Sequence, residues 1–262
     1  MEGIILGTIQ GITEWLPISS EGVIVLVKTN FFGGINLDAM IRLALFLHLG
    51  TVCAALVYFW KDIVNLLGTL LRYKKAEVGQ RKILLFLATA TFMSGALGFL
   101  LLKTLEQFGG SLLSSGRMIT LFVGIMLLVT SYFILKGKKS APKEGRTPSF
   151  KDSVILGIAQ GFAAIPGISR SGITVSSLLL LGFSETQALR LSFLLSIPIV
   201  LAGNVMLNLS SFEISQLTIS GLIFSFIFGL ITIHYFLKAA EKINFGYFAL
   251  IFGILMISSI FI

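Results

Sequence analysis

The sequence predicts an all-α integral membrane fold, with six transmembrane helices and two re-entrant helix-loop-helix pairs arranged as an inverted-topology repeat. Three observations carry that reading. The composition is too apolar for a water-exposed surface. The long apolar runs have the length of bilayer spans. Two interrupted apolar stretches, one in each half of the chain, resemble each other.

Of the 262 residues, 55% are hydrophobic and 12% are charged, whereas soluble domains carry roughly 25% charged residues. The mean hydropathy is +0.96. So few charges cannot cover a surface in water, and lipid is the main solvent. A net charge of +8 would suggest nucleic acid in a soluble chain. Here the lysines and arginines cluster between apolar runs, which fits orientation against an anionic inner leaflet and gives no reason to expect nucleic acid. The single cysteine, Cys53, excludes a disulfide framework within one chain and supplies no metal cluster. Met1–Ile12 holds an acidic residue and no basic segment, so no cleavable signal peptide is expected.

Six apolar runs have the length of spans: Met40–Trp60, Ile83–Lys103, Met118–Leu135, Ala188–Leu209, Leu217–Leu237 and Tyr247–Ile262. Two further stretches, Gly3–Val27 and Val154–Gly182, are apolar but broken by Gly, Pro and Ser near their middles. Two half-helices meeting at a buried non-helical loop fit these better than a continuous span. The two broken stretches match in order. Ile5-Leu6-Gly7-Thr8-Ile9-Gln10-Gly11 aligns with Ile155-Leu156-Gly157-Ile158-Ala159-Gln160-Gly161, Ile18-Ser19 with Ile168-Ser169, and Gly22 with Gly172. Later, Ala39–Leu43 resembles Gln187–Leu191. The chain therefore reads as one membrane domain, with residues 1–138 as a first repeat and 149–262 as a second.

A re-entrant pair adds no crossing, so three spans separate the two pairs and the second half is inverted. The segments Lys61–Lys82 and Lys136–Lys151 are rich in Lys and Arg and are two spans apart, and Lys238 and Lys242 fall on the same side. The segments Thr104–Arg117 and Ser210–Gln216 are poor in them. The basic side is then cytoplasmic and both termini lie outside.

Few ionisable residues remain at membrane depth: Glu14, Glu21 and Arg170, with Arg42, His48, Glu185, Arg190 and His234 at the margins. Such charges are costly and mark functional sites. In Pro166-Gly167-Ile168-Ser169-Arg170-Ser171-Gly172-Ile173-Thr174, Pro-Gly ends one half-helix and Ser169 opens the next. The free N–H groups of a helix start suit an anion. Arg170 adds a planar fork matched to phosphate oxygens, and Ser169, Ser171 and Thr174 add hydroxyls. The competing reading is an N-cap with one arginine paired to a carboxylate. In the partner loop, Gln10 and Glu14 share a helix face, and Glu21 follows the break. Two carboxylates beside a phosphate site suit a divalent cation such as Mg²⁺, or one of them can serve as general base. Alternatively, Glu14 is a charge partner for Arg170 and Glu21 a helix-start residue. His48 is expected to be a hydrogen-bonded packing residue, His234 a helix-end cap, Glu185 a helix-start residue, and Arg42 and Arg190 structural clamps on the broken pairs. Trp15 either packs at the loop or faces lipid.

Gln10-Gly11-Ile12-Thr13-Glu14-Trp15-Leu16-Pro17-Ile18-Ser19-Ser20 together with the Pro166–Thr174 motif resembles the undecaprenyl-diphosphate phosphatase family, the bacitracin-resistance phosphatases, over essentially the whole chain. The resemblance implies six spans, two re-entrant loops and a dimer-like inverted repeat. It also implies hydrolysis of a polyprenyl diphosphate to the monophosphate carrier, at the outer face of the cell membrane, with a divalent cation, Mg²⁺ or Ca²⁺. A homodimer is a compatible assembly. The chain departs from the family pattern at Gln10, where glutamate is usual, and at Val23, where the family carries a histidine proposed for catalysis. His48-Leu49-Gly50 stands where the family often has Gln-Leu-Gly and resembles an archaeal-type branch, whose carrier would be of dolichyl type.

The first reading is thus a membrane phosphatase. Gln10, Ser19, Gly167, Ser169, Arg170, Ser171 and Thr174 would bind the diphosphate, Glu14 and Glu21 would hold the cation or activate water, and Ser20 would be nucleophile or donor. The alternative is a transporter or flippase of the polyprenyl phosphate, for which the inverted repeat is equally suited. A third reading, a membrane scaffold without activity, leaves Arg170 and the paired motifs unexplained.

Overall fold

The computed structural model describes residues 1–16, 18–33, 37–108, 116–137, 146–165, 168–208, 215–240 and 245–258. Regular structure among the described residues is entirely helical. All six expected runs form helices: α3 (Leu37–Tyr58), α5 (Val78–Phe108), α6 (Gly116–Gly137), α9 (Glu185–Asn208), α10 (Gln216–Ala240) and α11 (Phe245–Ser258). Four of these, α3, α5, α9 and α10, are long and apolar enough among the described residues to cross a bilayer. The outward face of α10 carries Ile219, Ile223, Ile227 and Ile231, one turn apart and all exposed, which is the surface of a helix solvated by lipid.

Both broken stretches are pairs of short helices. The first is α1 (Glu2–Thr13) and α2 (Ser20–Phe31), and the second is α7 (Phe150–Gly161) and α8 (Arg170–Leu180). Local chemistry sets the breaks. Ser19 and Ser169 are the N-caps of α2 and α8, with nearly the same backbone (φ −68°, ψ 106° and φ −66°, ψ 115°). Each hydroxyl oxygen accepts from the glycine N–H three residues on, Gly22 and Gly172, at 3.1 Å. Pro166 and Gly167, expected to end the first half of the second pair, lie outside the described residues. The α-helix already stops at Gly161 and tightens into a 3₁₀ turn over Phe162–Ala164. Ile165 is then extended (φ −78°, ψ 120°), as the ring of a following proline demands. α8 closes on Gly182 at φ +86°, with Gly182 N–H donating to Leu179 O and Phe183 N–H to Leu178 O, a Schellman ending that favours glycine.

The segment Lys61–Lys82 is more ordered than an interspan loop, because α4 (Trp60–Leu71) continues beyond a bend at Phe59 (φ −97°, ψ 23°) and α5 already begins at Val78. Arg190 of α9 pairs with Asp62 of α4, and Arg42 of α3 donates to the Leu207 carbonyl of α9. Both arginines thus tie one long helix to another element. Asn204 and Asn208 add bonds from α9 to the Leu45 and Arg42 carbonyls of α3, at 2.8 and 3.1 Å.

Each short pair packs on a helix from the opposite half: α1 lies along α10, and α7 along α5. Small residues permit this approach. A Cβ on Gly7 would stand 2.2 Å from the Gly221 carbonyl oxygen, and one on Gly157 would stand 2.6 Å from Met93 Cβ. The exchange brings the two breaks face to face at the centre of the molecule. Trp15 is buried beneath them. Its ring lies 5.0 Å from that of Phe193, and its Nε1–H donates to Gly229 O at 2.9 Å, so it packs inside and does not face lipid.

Candidate active site

The break after α1 and the start of α8 meet in a small pocket of about 30 Å³, whose wall includes Glu14, Ser19, Ser20, Ser169, Arg170 and Ser171. Glu21 and His48 also line it, with Ile18, Ala163 and Ile168. Seven of the ten residues named from the sequence as catalytic or binding groups therefore converge on one pocket. Gly167 lies outside the described residues. Gln10 and Thr174 are not on the wall. Gln10 is wholly buried and donates from Nε2 to Glu14 Oε2 at 2.8 Å. Thr174 donates to Arg170 O at 2.7 Å and shares a 2.6 Å contact with Ser192. Both stand behind the pocket and hold its lining.

Glu14 is the centre of the cluster. It caps the C-terminus of α1, and its side chain is 4% exposed. Arg170, the first residue of α8, donates from Nη2 to Glu14 Oε1. On the other oxygen, Oε2, Ser20 Oγ donates at 3.0 Å beside the Gln10 amide. The charge-partner reading of Glu14 and the phosphate reading of Arg170 are not exclusive. Arg170 Nη1 is buried and has no hydrogen-bond partner among the described residues. A buried donor left unpaired costs about 1–3 kcal/mol, and more when charged, so this atom is a seat for an acceptor. Ser171 Oγ lies 3.2 Å from Ser169 Oγ and donates to the Leu16 carbonyl at 2.8 Å, stitching the two breaks together.

His48 is buried and hydrogen-bonded, as expected, but its partners belong to the pocket. α3 carries it into the pocket wall, where Nε2 lies 3.0 Å from Glu14 Oε2 and 3.4 Å from Ser20 Oγ. Its other nitrogen, Nδ1, lies 2.6 Å from the Ala44 carbonyl oxygen. The sequence held one signal for this: a polar ring inside an otherwise apolar span. Val23 lines neither this pocket nor the adjoining cavity and packs against the apolar core. His234 contacts the Tyr58 hydroxyl at 3.3 Å, away from the site.

Glu21, in the first turn of α2, lines the same pocket, and no hydrogen bond or ion pair with the described residues occupies its carboxylate. Among the described residues no group of three or more His, Cys, Asp or Glu side chains is arranged to hold a metal by itself. A second, larger cavity of about 340 Å³ adjoins the pocket and shares Glu21, His48 and Arg170 with it. It runs between α3, α5 and α9 along mostly apolar side chains toward Lys103 and Leu207. A polar pocket opening into an apolar channel suits an amphiphile with an anionic head.

The model of the bacitracin resistance protein BacA family matches residues 3–257. The chain is 44% identical to an undecaprenyl-diphosphatase of Methanococcoides burtonii, over all of this chain and 98% of that protein. It is 39% identical to one of Halothermothrix orenii, over 97% and 95% of the two chains, and 32% identical to one of Methanothrix thermoacetophila, over 98% and 96%.

Proposed function

The chain belongs to the bacitracin resistance protein BacA family, and on that premise we propose that it is a membrane phosphatase. It hydrolyses a polyprenyl diphosphate, undecaprenyl diphosphate by the names of its relatives, to the monophosphate carrier and phosphate. The observation that carries the reading at the site is the buried, unpartnered Nη1 of Arg170 in a pocket ringed by serine hydroxyls. The terminal phosphate occupies this pocket, held by Arg170 and by the N–H groups at the start of α8. The isoprenoid chain lies in the 340 Å³ cavity.

Ser20 Oγ is the nucleophile. It attacks the terminal phosphorus, the bond to the bridging oxygen breaks, and the monophosphate leaves with that electron pair. The hydroxyl proton passes to Glu14 Oε2, 3.0 Å away. Water then attacks the phosphoserine. Glu14 returns its proton to Ser20 Oγ, and the proton lost by water leaves with the released phosphate. Positioning and charge stabilisation supply most of the rate in such transfers.

A divalent cation fits on one side of the pocket only. Glu14 is enclosed by Arg170, Gln10, Ser20 and His48, whereas Glu21 is free to hold it together with substrate oxygens, the arrangement Mg²⁺ favours. When bound, the cation neutralises charge on those oxygens.

The membrane arrangement proposed is six spans with two re-entrant pairs in inverted repeats, 1–138 and 149–262. The short pairs are about 18 Å long per half-helix at 1.5 Å per residue, too short for a hydrocarbon core of about 30 Å. With the basic segment Lys61–Lys82 cytoplasmic, both termini lie outside, and the Lys103 end of the cavity opens toward the outer leaflet.

The test is phosphate release from a C55 polyprenyl diphosphate by the full chain in detergent with Mg²⁺, with Ser20→Ala as the control. Release that depends on Ser20 is expected. Detergent abolishes sidedness, so a folded protein that releases no phosphate but moves polyprenyl phosphate across sealed vesicles would replace this reading with lipid-phosphate transport.

A further inference from the structure

We propose that His48 is a catalytic residue of this site: its Nε2–H is the second cationic donor to the terminal phosphate, and the shift of that hydrogen bond from Glu14 to the phosphate releases Glu14 to act as base. The proposal rests on the phosphatase reading above.

Three observations support it. First, hydrogen-bond geometry assigns the ring's protons. Nδ1 lies 2.6 Å from the Ala44 carbonyl oxygen and Nε2 3.0 Å from Glu14 Oε2. A carbonyl and a carboxylate only accept, so both nitrogens donate and the ring is an imidazolium. Second, His48 lines the same pocket as Ser20 and Arg170, so its ring and the unpartnered Nη1 of Arg170 stand beside one phosphate seat. Third, Glu14 is saturated at rest. Gln10 Nε2, Ser20 Oγ and His48 Nε2 converge on Oε2, while Arg170 holds Oε1. A carboxylate with that many donors is a weak base, because each bond stabilises the ionised form.

Phosphate entry changes this arrangement. Its oxygens draw the Nε2–H of His48 away from Glu14, while Arg170 keeps Glu14 Oε1 through Nη2 and meets the phosphate with Nη1. Oε2 keeps the Gln10 amide and the Ser20 hydroxyl, whose proton it then accepts as the Ser20 Oγ–P bond forms. His48 loses no proton in this step. It follows charge onto the phosphate oxygens and returns to Glu14 when the product leaves. His48 is the only imidazole that lines either cavity among the described residues.

The experiment compares the purified full chain with His48→Gln and His48→Ala in detergent, measuring kcat, KM, inhibition by orthovanadate and thermal unfolding. A lost transition-state donor predicts a kcat lower by ~100-fold or more. KM should stay within about 3-fold, while vanadate inhibition weakens in step with kcat, since only the transition state and its mimic feel the clamp. His48→Gln should unfold close to the wild-type temperature. A folded His48 variant with near-wild-type kcat overturns the proposal, as does a fall in kcat that leaves vanadate inhibition unchanged. Unfolding of both variants makes His48 a structural residue and also overturns it. An active wild type beside an equally active variant sinks this inference alone, whereas an inactive wild type sinks the phosphatase reading as well.

Discussion

Arg170→Ala should lower both stability and activity, for separate physical reasons. The Arg170 and Glu14 side chains are 15% and 4% exposed, so the substitution strands a buried carboxylate. Removing one partner of a buried ion pair costs about 3–5 kcal/mol. Glu14 keeps Gln10, Ser20 and His48, which places the expected loss near the lower end, about 3 kcal/mol. The catalytic loss has a different source, the Nη1 donor that has no partner in the resting site. Removing one such donor costs ~10²–10³ in rate, or about 2.7–4 kcal/mol. Arg170→Lys separates the two effects. A lysine restores a charge beside Glu14 but lacks the planar fork, so it cannot hold the carboxylate and a phosphate oxygen in one plane. It should regain most of the stability and little of the activity. The assay is kcat/KM for phosphate release in detergent, with thermal unfolding of each variant alongside. Full activity in Arg170→Lys would refute the fork argument. A folded Arg170→Ala with near-wild-type kcat/KM would refute the placement of the phosphate at this residue.

Further outcomes follow from the packing and the caps. Gly7→Val should weaken the fold by about 1–3 kcal/mol or more, because α1 and α10 touch backbone to backbone there; a lowered unfolding temperature in detergent is the readout, and no change would contradict the close approach. Trp15→Phe removes the 2.9 Å bond to the Gly229 carbonyl, which keeps a 3.4 Å contact from Thr232 Oγ1, and should cost about 0.5–1.5 kcal/mol, whereas full stability would show that Trp15 contributes only its ring. Ser149→Ala removes one half of the capping box that starts α7 and should cost about 1 kcal/mol, again read by thermal unfolding. Burial pushes the Asp152 carboxyl up, but the Ser149 N–H, the Ser149 hydroxyl and Arg146 outweigh it and hold the group below its ordinary value. A carboxylate lowered by folding contributes stability in full above its unfolded pKa, about 3.9, and loses it as the pH falls through the lowered value. Unfolding temperatures measured downward from about pH 5 should therefore drop more for the wild type than for Asp152→Asn; parallel curves would exclude the linkage.

Much of this protein was legible in the order of its residues. Lipid as solvent follows from the scarcity of charge, and the helix positions follow from the lengths of the apolar runs. Both breaks are local events. A serine placed three residues before a glycine caps a helix by itself, and a proline keeps Ile165 out of the helix. Glu14, Glu21 and Arg170 stood out because charge at membrane depth needs a reason. Segments at the water boundary were less legible. α4 went unforeseen because its apolar face, with Trp60, Val64, Leu67 and Leu71 exposed, is flanked by Lys61-Asp62 and the basic run from Arg72, so that the whole segment read as a loop.

The partnerships were decided only by tertiary structure. Spacing put Gln10 and Glu14 on one helix face, and the first is an anchor for the second, not a wall of the pocket. Which donors share Glu14 depends on α3 and α8 arriving from distant parts of the chain, and α8 does so because each short pair packs on a helix of the opposite half. For His48 the difference is largest. Its sequence neighbours are those of any buried polar residue, and its chemistry comes from two oxygens 34 and 28 residues earlier in the chain, Glu14 Oε2 and Ser20 Oγ. Local sequence determines where helices begin and what solvates them, because capping and hydropathy act over a few residues. A site assembled from charges needs distances of a few ångströms between remote residues, and only the packed fold sets those.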